Sequence, residues 1–156
     1  MFTVENTTVL GAPLARVWRL IVDLDRYRDW HPYITLKSDP VDPRKLSCTY
    51  RNPDSAAPLF SADGYVVRLD RQADFAWQLG IKGVLQIEES FHLEKSDQGT
   101  QLTHYLFCTG VGSWLGLAVL KRAFRRSLVR IDDSLAIYLQ RGTTISRYSH
   151  RVGRRH

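Results

Sequence analysis

Two ionisable residues, Glu89 and His104, stand in stretches that otherwise read as apolar β-structure, "VLQIEESF" and "QLTHYLF". Which way they face depends on strand register, because side chains alternate between faces and a slip of one residue turns all of them over. A three-residue turn Ile81-Lys82-Gly83, with glycine at the left-handed position, sets Leu79 opposite Leu85, Trp77 opposite Ile87 and Phe75 opposite Glu89. A two-residue turn would set Trp77 against Glu88, a poorer apolar match. In the last hairpin a four-residue loop from Ser96 to Gly99 pairs Leu93 with Leu102, Phe91 with His104, Glu89 with Leu106 and Ile87 with Cys108. One face then carries Ile87, Glu89, Phe91, His104, Leu106 and Cys108; the other carries Gln86, Glu88, Ser90, His92, Gln101 and Thr103. Tyr105 and Phe107 fall on the polar side, which leaves open a one-residue slip that turns His104 outward.

An ionisable group on an apolar face is costly unless it is paired or meets a polar cavity. Partial burial raises a carboxyl pKa, the tuning that proton-transfer sites use, so Glu89 and His104 are candidate general acid/base residues. The alternative is a structural pair, hydrogen-bonded to core water or to Tyr65. Asp63 and Tyr65, in "FSADGYVV", are weaker candidates from the neighbouring strand. Aromatic rings at Tyr65, Trp77 and Phe91 suit a flat ligand and suit plain core equally.

Other chemistries find little support in the sequence. Cys48 and Cys108 are too few for a disulfide framework, show no metal-ligand spacing with the five histidines, and read as reduced, buried thiols. "GVGSWLG", from Gly110 to Gly116, lacks the lysine of a phosphate-binding loop and reads as the entry to a helix. No Gly-x-Ser-x-Gly elbow or His-Glu-x-x-His motif occurs, and no cofactor is called for. The net charge of +6 is unevenly spread: residues 1–113 hold 12 basic and 14 acidic residues, net −2, and residues 114–156 hold 10 and 2, net +8. Lys121, Arg122, Arg125 and Arg126, with the tail "SRYSHRVGRRH", could meet an anionic lipid surface or form a solvated face; no recognisable nucleic-acid-binding motif accompanies them.

The elements that must position these residues follow from periodicity. "FTVENTTVL" reads as a strand, and Pro13 opens a short helix whose Leu14, Val17, Trp18, Ile21 and Leu24 recur at helical spacing. A turn follows, "DRYRDWHP", in which Pro32 forces the chain out of helical geometry. Apolar or β-rich runs near 33–37, 45–51, 59–69, 74–80, 84–95 and 100–109 make an antiparallel meander. A long helix from about Trp114 to Gln140 carries the stripe Leu117, Leu120, Phe124, Leu128, Ile131, Leu135 and Tyr138, with Gly142 as a stop. A single sheet with one apolar face must be covered, and only the last helix is long enough to do it. With 156 residues, 44% of them hydrophobic, one domain can bury a core and still enclose a pocket. No run approaches the roughly 18–20 apolar residues of a membrane span, and no signal-peptide profile opens the chain, so a soluble cytoplasmic protein is expected.

The opening stretch "GAPLARVWRLIVDLDRYRDWHPYI" and the closing "IEESFHLEKSDQGTQLTHYLFCTG" with its long helix resemble the START/birch-pollen-allergen-like superfamily (SRPBCC), in its polyketide cyclase/dehydrase and lipid-transport branch, over roughly residues 3–142. The resemblance implies an α+β helix-grip fold: a seven-stranded antiparallel sheet wrapped around a long C-terminal helix, with two short helices after strand 1 and a hydrophobic cavity between. It divides the chain into a ligand-binding domain, 1–142, and a basic tail, 143–156. The turn at Trp30 and His31 would lie at the cavity mouth, Trp30 as wall or plug; otherwise Trp30 closes the core and His31 points to solvent. Pocket residues expected on this basis are Trp30, His31, Tyr65, Trp77, Ile87, Phe91, Leu106, Leu117, Leu120 and Phe124. The implied function is binding, and possible transport, of a small hydrophobic molecule such as a lipid or polyketide-like compound. The alternative is a cofactor-independent polyketide cyclase, aromatase or dehydratase that uses Glu89 or His104. No feature selects an oligomeric state.

Overall fold

The computed structural model describes residues 1–51, 58–110 and 117–152, with the side chains of 58, 117–120 and 142–152 left aside. Seven strands form one antiparallel sheet: β1 (Phe2–Leu10), β2 (Ile34–Ser38), β3 (Lys45–Arg51), β4 (Pro58–Asp70), β5 (Asp74–Ile81), β6 (Leu85–Ser96) and β7 (Gly99–Thr109), in the order β1-β7-β6-β5-β4-β3-β2. Strands β2 to β7 are consecutive hairpins, and β1 closes the far side by pairing with β7 along its whole length, Phe2 opposite Cys108 through Leu10 opposite Thr100. Between β1 and β2 come α1 (Leu14–Val22), a 3₁₀ turn (Leu24–Arg26) and the single-turn α2 (Tyr27–Trp30). The long helix α3 (Leu117–Val152) covers the sheet. This is the α+β helix-grip arrangement that the sequence implies.

Local chemistry explains these elements. Pro13 flanks α1 in an extended conformation, its missing N–H costing nothing at a helix start, and Val17, Trp18, Leu20 and Ile21 form the buried face. α2 ends at His31, which is extended as a residue before proline must be. α3 buries Leu128, Ile131, Leu135 and Leu139 against the sheet. Hydrogen bonds hold it in place: Ser134 Oγ donates to the Trp30 carbonyl at 2.6 Å, Arg16 to the Leu139 carbonyl at 2.8 Å, and Arg26 to the Tyr138 hydroxyl at 2.5 Å. Gly142 does not stop α3, contrary to the reading of the sequence. A helical glycine costs only about 1 kcal/mol relative to alanine, too little to end a helix by itself. The expected helix start at Trp114 and the rest of 111–116 lie outside the described residues.

Two registers decide where the candidate residues face. The β6–β7 pairing is the one expected: Ile87 opposite Cys108, Glu89 opposite Leu106, Phe91 opposite His104 and Leu93 opposite Leu102. The β5–β6 pairing differs by two residues. Ile81 meets Leu85 across a Lys82-Gly83-Val84 turn, so Leu79 lies opposite Ile87, Trp77 opposite Glu89 and Phe75 opposite Phe91. This register stacks the Phe75 and Phe91 rings, 6.3 Å apart, where the expected one set Phe75 against a carboxylate. A shift of two keeps each side chain on its face, so the inward assignment of Trp77 and Glu89 is unchanged. Gly83 takes the left-handed conformation foreseen for the turn (φ 87°), and Gly80 (φ 107°) is also needed, since a Cβ there would run into the Leu85 carbonyl oxygen.

Among the described residues the buried apolar ones form two clusters. The larger joins α1, α2 and the sheet to the Ile131–Leu139 part of α3; the smaller gathers Phe2, Val4, Leu106, Cys108 and Leu128, with Ile87 and Phe124 against it. Both cysteines are free and buried. No described helix is long and apolar enough to cross a membrane.

Candidate functional site

Four buried polar side chains from four parts of the chain converge on the inner face of the sheet. His104 of β7, 0% exposed, lies between two carboxylates: Nδ1 is 2.8 Å from Asp132 Oδ1 on α3, and Nε2 is 3.0 Å from Glu89 Oε1 on β6. His31, at the end of α2, completes the line with Nε2 3.4 Å from the same Glu89 oxygen. Asn6 of β1, opposite His104 in the register, donates from Nδ2 to Asp132 Oδ2 at 2.6 Å. Phe91 stacks on the His104 ring at 4.3 Å and Tyr27 on the His31 ring at 5.8 Å, so apolar surface encloses the chain of hydrogen bonds.

Proton positions follow from these contacts. Burial pulls the His104 pKa down, but the hydrogen bonds and charges of Asp132 and Glu89 outweigh it and hold it at about 9. His104 is therefore an imidazolium at neutral pH and donates from both nitrogens. Burial likewise pushes Glu89 up, yet the coulombic pull of His31, the hydrogen bonds from His104 and His31, and the charge of His104 together win, holding its carboxyl well below the usual carboxylate range. On His31 the backbone N–H groups of Tyr33 and Ile34 donate into Nδ1 at 3.2 and 3.1 Å. Nδ1 carries no proton, so Nε2 does, and it is that N–H which donates to Glu89. Both imidazole bonds end on Glu89 Oε1; among the described residues no hydrogen bond reaches Oε2.

A cavity of about 280 Å³ lies beside this network. Glu89 and His31 line it; His104 and Asp132 stand behind them. Its walls are Trp77, Leu79 and Ile87 from β5 and β6, Leu106 from β7, Cys48 from β3, and Phe124, Ser127 and Ile131 from α3. Tyr33, Tyr50 and Phe60 form a stack leading outward, with near-parallel rings at 6.3 and 5.3 Å, and half-exposed Phe60 marks the mouth. Burial raises the Cys48 thiol to about 12, which removes it as a nucleophile. Trp30 Nε1 is buried without a partner among the described residues, and the buried Trp77 Nε1 and Tyr27 Oη face one another in a loose contact.

The expected site residues separate accordingly. His31, Trp77, Ile87, Glu89, Leu106 and Phe124 line the cavity. Trp30 is core, packed on Tyr27 at 4.7 Å, and Phe91 backs His104; neither lines the cavity. Tyr65 is 49% exposed on the outer face and Asp63 is exposed near it. Their strand register explains it: Val66 is the residue opposite Trp77, while Tyr65 faces Gln78. Nor does Tyr65 bond the Glu89–His104 pair, and His31 does not point to solvent, being only 4% exposed. The side chains of Leu117 and Leu120 lie outside the described residues. Asp132, the second carboxylate on His104, was missed in the sequence. The signal was present, because Asp132 is four residues after Leu128 and three before Leu135, in line with the apolar stripe of α3.

Solved structures with this fold are numerous, and those that follow are distant in sequence. A protein of unknown function, SA2116, from Staphylococcus aureus superposes with a TM-score of 0.72 at 12% identity, covering 92% of this chain and 96% of that one. Protein NE0264 from Nitrosomonas europaea gives 0.71 at 14% identity, with coverages of 91% and 96%. The structure of Ara h 8.0201 gives 0.66 at 14% identity, with coverages of 89% and 97%. No curated protein matches the sequence. The family model for polyketide cyclase / dehydrase and lipid transport matches residues 1–139, and the chain, with its helix-grip fold, belongs to that family.

Proposed function

We propose that this protein binds a small, largely apolar molecule in the cavity between the sheet and α3, as a carrier or receptor and not as a catalyst. The observation that carries this reading is an apolar-walled cavity whose ionisable lining groups have their protons already committed. Glu89 is held as a carboxylate, a weak base at neutral pH; a general base works best with a pKa near the working pH. His104 has a carboxylate on each nitrogen and no lone pair to offer. His31 has its free nitrogen filled by two amides. At about 280 Å³ the cavity is near the lower end of ligand pockets, roughly 300–1,000 Å³, so the ligand is compact.

A second reading, a cyclase or dehydratase of polyketide-like compounds, draws support from Glu89 and His31 both facing the cavity. The two are separated by one experiment: full-length protein is examined by native mass spectrometry for a co-purifying apolar molecule, and candidate ligands are then titrated into wild type, Trp77→Ala and Glu89→Gln. A carrier loses affinity in Trp77→Ala and shows no turnover in any form. Turnover that vanishes in Glu89→Gln with affinity retained would sink the carrier reading.

Delivery to or from an anionic membrane is part of the same proposal. Arg122, Arg125, Arg126 and Arg130 line a groove on the exposed side of α3 that shares Tyr33 and Ser127 with the cavity. Exposed Leu59, Phe60, Ile81, Val84 and Leu85 crowd the sheet end nearest the mouth. Basic residues beside apolar ones suit a surface of acidic lipids, with each near-surface arginine worth about 1 kcal/mol. Co-sedimentation with phosphatidylserine vesicles, lost for neutral vesicles and in Arg122→Ala/Arg126→Ala, is the expected result.

A further inference from the structure

We infer that the ligand is an amphipathic acid, its apolar body in the cavity and its anionic head outside, on Arg126 and Arg130 of the basic groove. This rests on the binding reading above and narrows it to a class of molecule. The cavity and the groove meet, because Tyr33 and Ser127 line both. Residues three and four apart are neighbours on a helix surface. Arg130 therefore stands beside Ser127, and Arg126 beside Arg130, so the cationic surface begins where the cavity wall of Phe124, Ser127 and Ile131 ends. Arg122, Arg126 and Arg130 follow one another at i,i+4 spacing, a row of like charges that weakens a helix. Among the described residues no carboxylate offsets the row: these three and Arg125 are exposed, and none of them is in an ion pair. The spacing makes sense with an anion supplied from outside the chain.

Electrostatics also decides which end goes in. Among the described residues, Glu89 is the only carboxylate in the cavity wall, and no lysine or arginine lines it. Glu89 Oε1 accepts from both His104 and His31, so it is ionised. A carboxylate, sulfate or phosphate head pushed inward would lose its water and meet a like charge. At the groove the same head stays partly hydrated and can take charge-assisted hydrogen bonds from two guanidinium groups. An ammonium head there would meet its own sign, and an uncharged head would leave the row of arginines unopposed. The remaining cavity walls are mostly apolar or aromatic, which suits a compact apolar body.

The test is isothermal titration of the full chain at low salt with octanoate, 1-octanol and octylammonium. The expected result is that octanoate binds about three- to tenfold more tightly than 1-octanol, the worth of one or two exposed ion pairs. That advantage should fade at about 1 M NaCl. The ratio of octanoate to octanol affinity should fall to about one in Arg126→Gln/Arg130→Gln, and the ratio cancels any general loss of affinity. Arg71→Gln/Lys95→Gln removes the same charge from exposed positions at the other end of the sheet and should keep the ratio. Equal affinities for octanoate and octanol in wild type would overturn the inference while leaving the binding reading intact; if phosphatidylserine vesicles still bind, the arginines then serve a membrane surface alone. A ratio retained without Arg126 and Arg130, or lost equally in the distant pair, overturns it as well, as does tightest binding by octylammonium. Failure of all three compounds to bind removes the binding reading and this inference together.

Discussion

His104 and His92 have the same chemistry in different solvents. Each imidazole has one carboxylate at Nδ1 and another toward Nε2: Asp132 at 2.8 Å and Glu89 at 3.0 Å for His104, Asp74 at 2.9 Å and Glu94 at 3.7 Å for His92. His104 is sealed beneath α3, whereas the His92 side chain is 37% exposed on the outer face of the hairpin. The hydrogen bond to Asp74 raises the His92 pKa, as the carboxylates do for His104. What differs is the consequence of removing a partner. Water can replace either member of the outer group, while His104 and Asp132, behind the cavity wall, have no bulk water to take a lost partner's place.

The largest expected difference is therefore in His104→Ala against His92→Ala. Leaving Glu89 and Asp132 buried without the cation between them, with only the His31 and Asn6 hydrogen bonds remaining, should cost about 3–5 kcal/mol in urea unfolding, and the surface change about 1 kcal/mol or less. Equal losses would show that burial is not what separates the two sites.

Next in size is the dependence of stability on pH. The folded-state pKa of His104, about 9, lies above its ordinary 6.5, so its contribution is complete below about 6.5 and disappears as pH rises through 9. Glu89 is depressed from 4.5, so its contribution is complete above that value and is lost as pH falls through the lowered pKa. Stability should thus be greatest between about pH 4.5 and 6.5 and fall on both sides by an amount on the order of a few kcal/mol. Thermal melts across pH 3–10 check this, and an alkaline limb that persists in His104→Phe would assign it elsewhere.

Smaller still is the effect of replacing the three charged members together, even though His31 Nε2 and Asn6 Nδ2 then lose the carboxylates they donate to. Glu89→Leu/His104→Phe/Asp132→Leu should come within about 2 kcal/mol of wild type, because well-packed apolar residues often match a buried ionic group. Its melting should lose most of the pH dependence. The smallest effect is that of salt: the His92 contribution should fade toward zero at about 1 M NaCl, while the cost of His104→Ala stays nearly constant, as judged by unfolding at both salt concentrations.

How far the sequence could reveal this arrangement depended on the kind of constraint. The β6–β7 pairing was legible because two apolar matches, Leu93 with Leu102 and Ile87 with Cys108, and the hairpin loop agree on one register. The β5–β6 pairing was legible only as to face, since a slip of two leaves the alternation untouched and only the Phe75–Phe91 stack distinguishes the answers. Tyr65 was misplaced because "YVV" does not alternate, and the irregularity between Val66 and Arg68, a β-bulge in the β4–β5 pairing, is invisible to period-two reading. Of the network, Glu89 and His104 could be foreseen as inward-facing. His31 was expected at the pocket and Asp132 lies in line with the α3 stripe, but that both meet this pair could not be foreseen, because it depends on how α3 and the turn after α2 dock on the sheet, which a linear pattern does not encode.

The sheet order also sets a timetable for synthesis. β1 has β7 as its strand neighbour, so the first strand made must wait for the last. A nascent chain arrested before Gly99 can build the β2–β6 meander from local hairpins but leaves β1 unpaired, its inward Val4 and Leu10 uncovered, with Asn6 far from the aspartate it will hold. Protease sensitivity of the N-terminal strand should then persist until β7 and α3 emerge. The apolar β1 must stay shielded until β7 and α3 have emerged, and their arrival, not the first collapse, is when the cavity first exists.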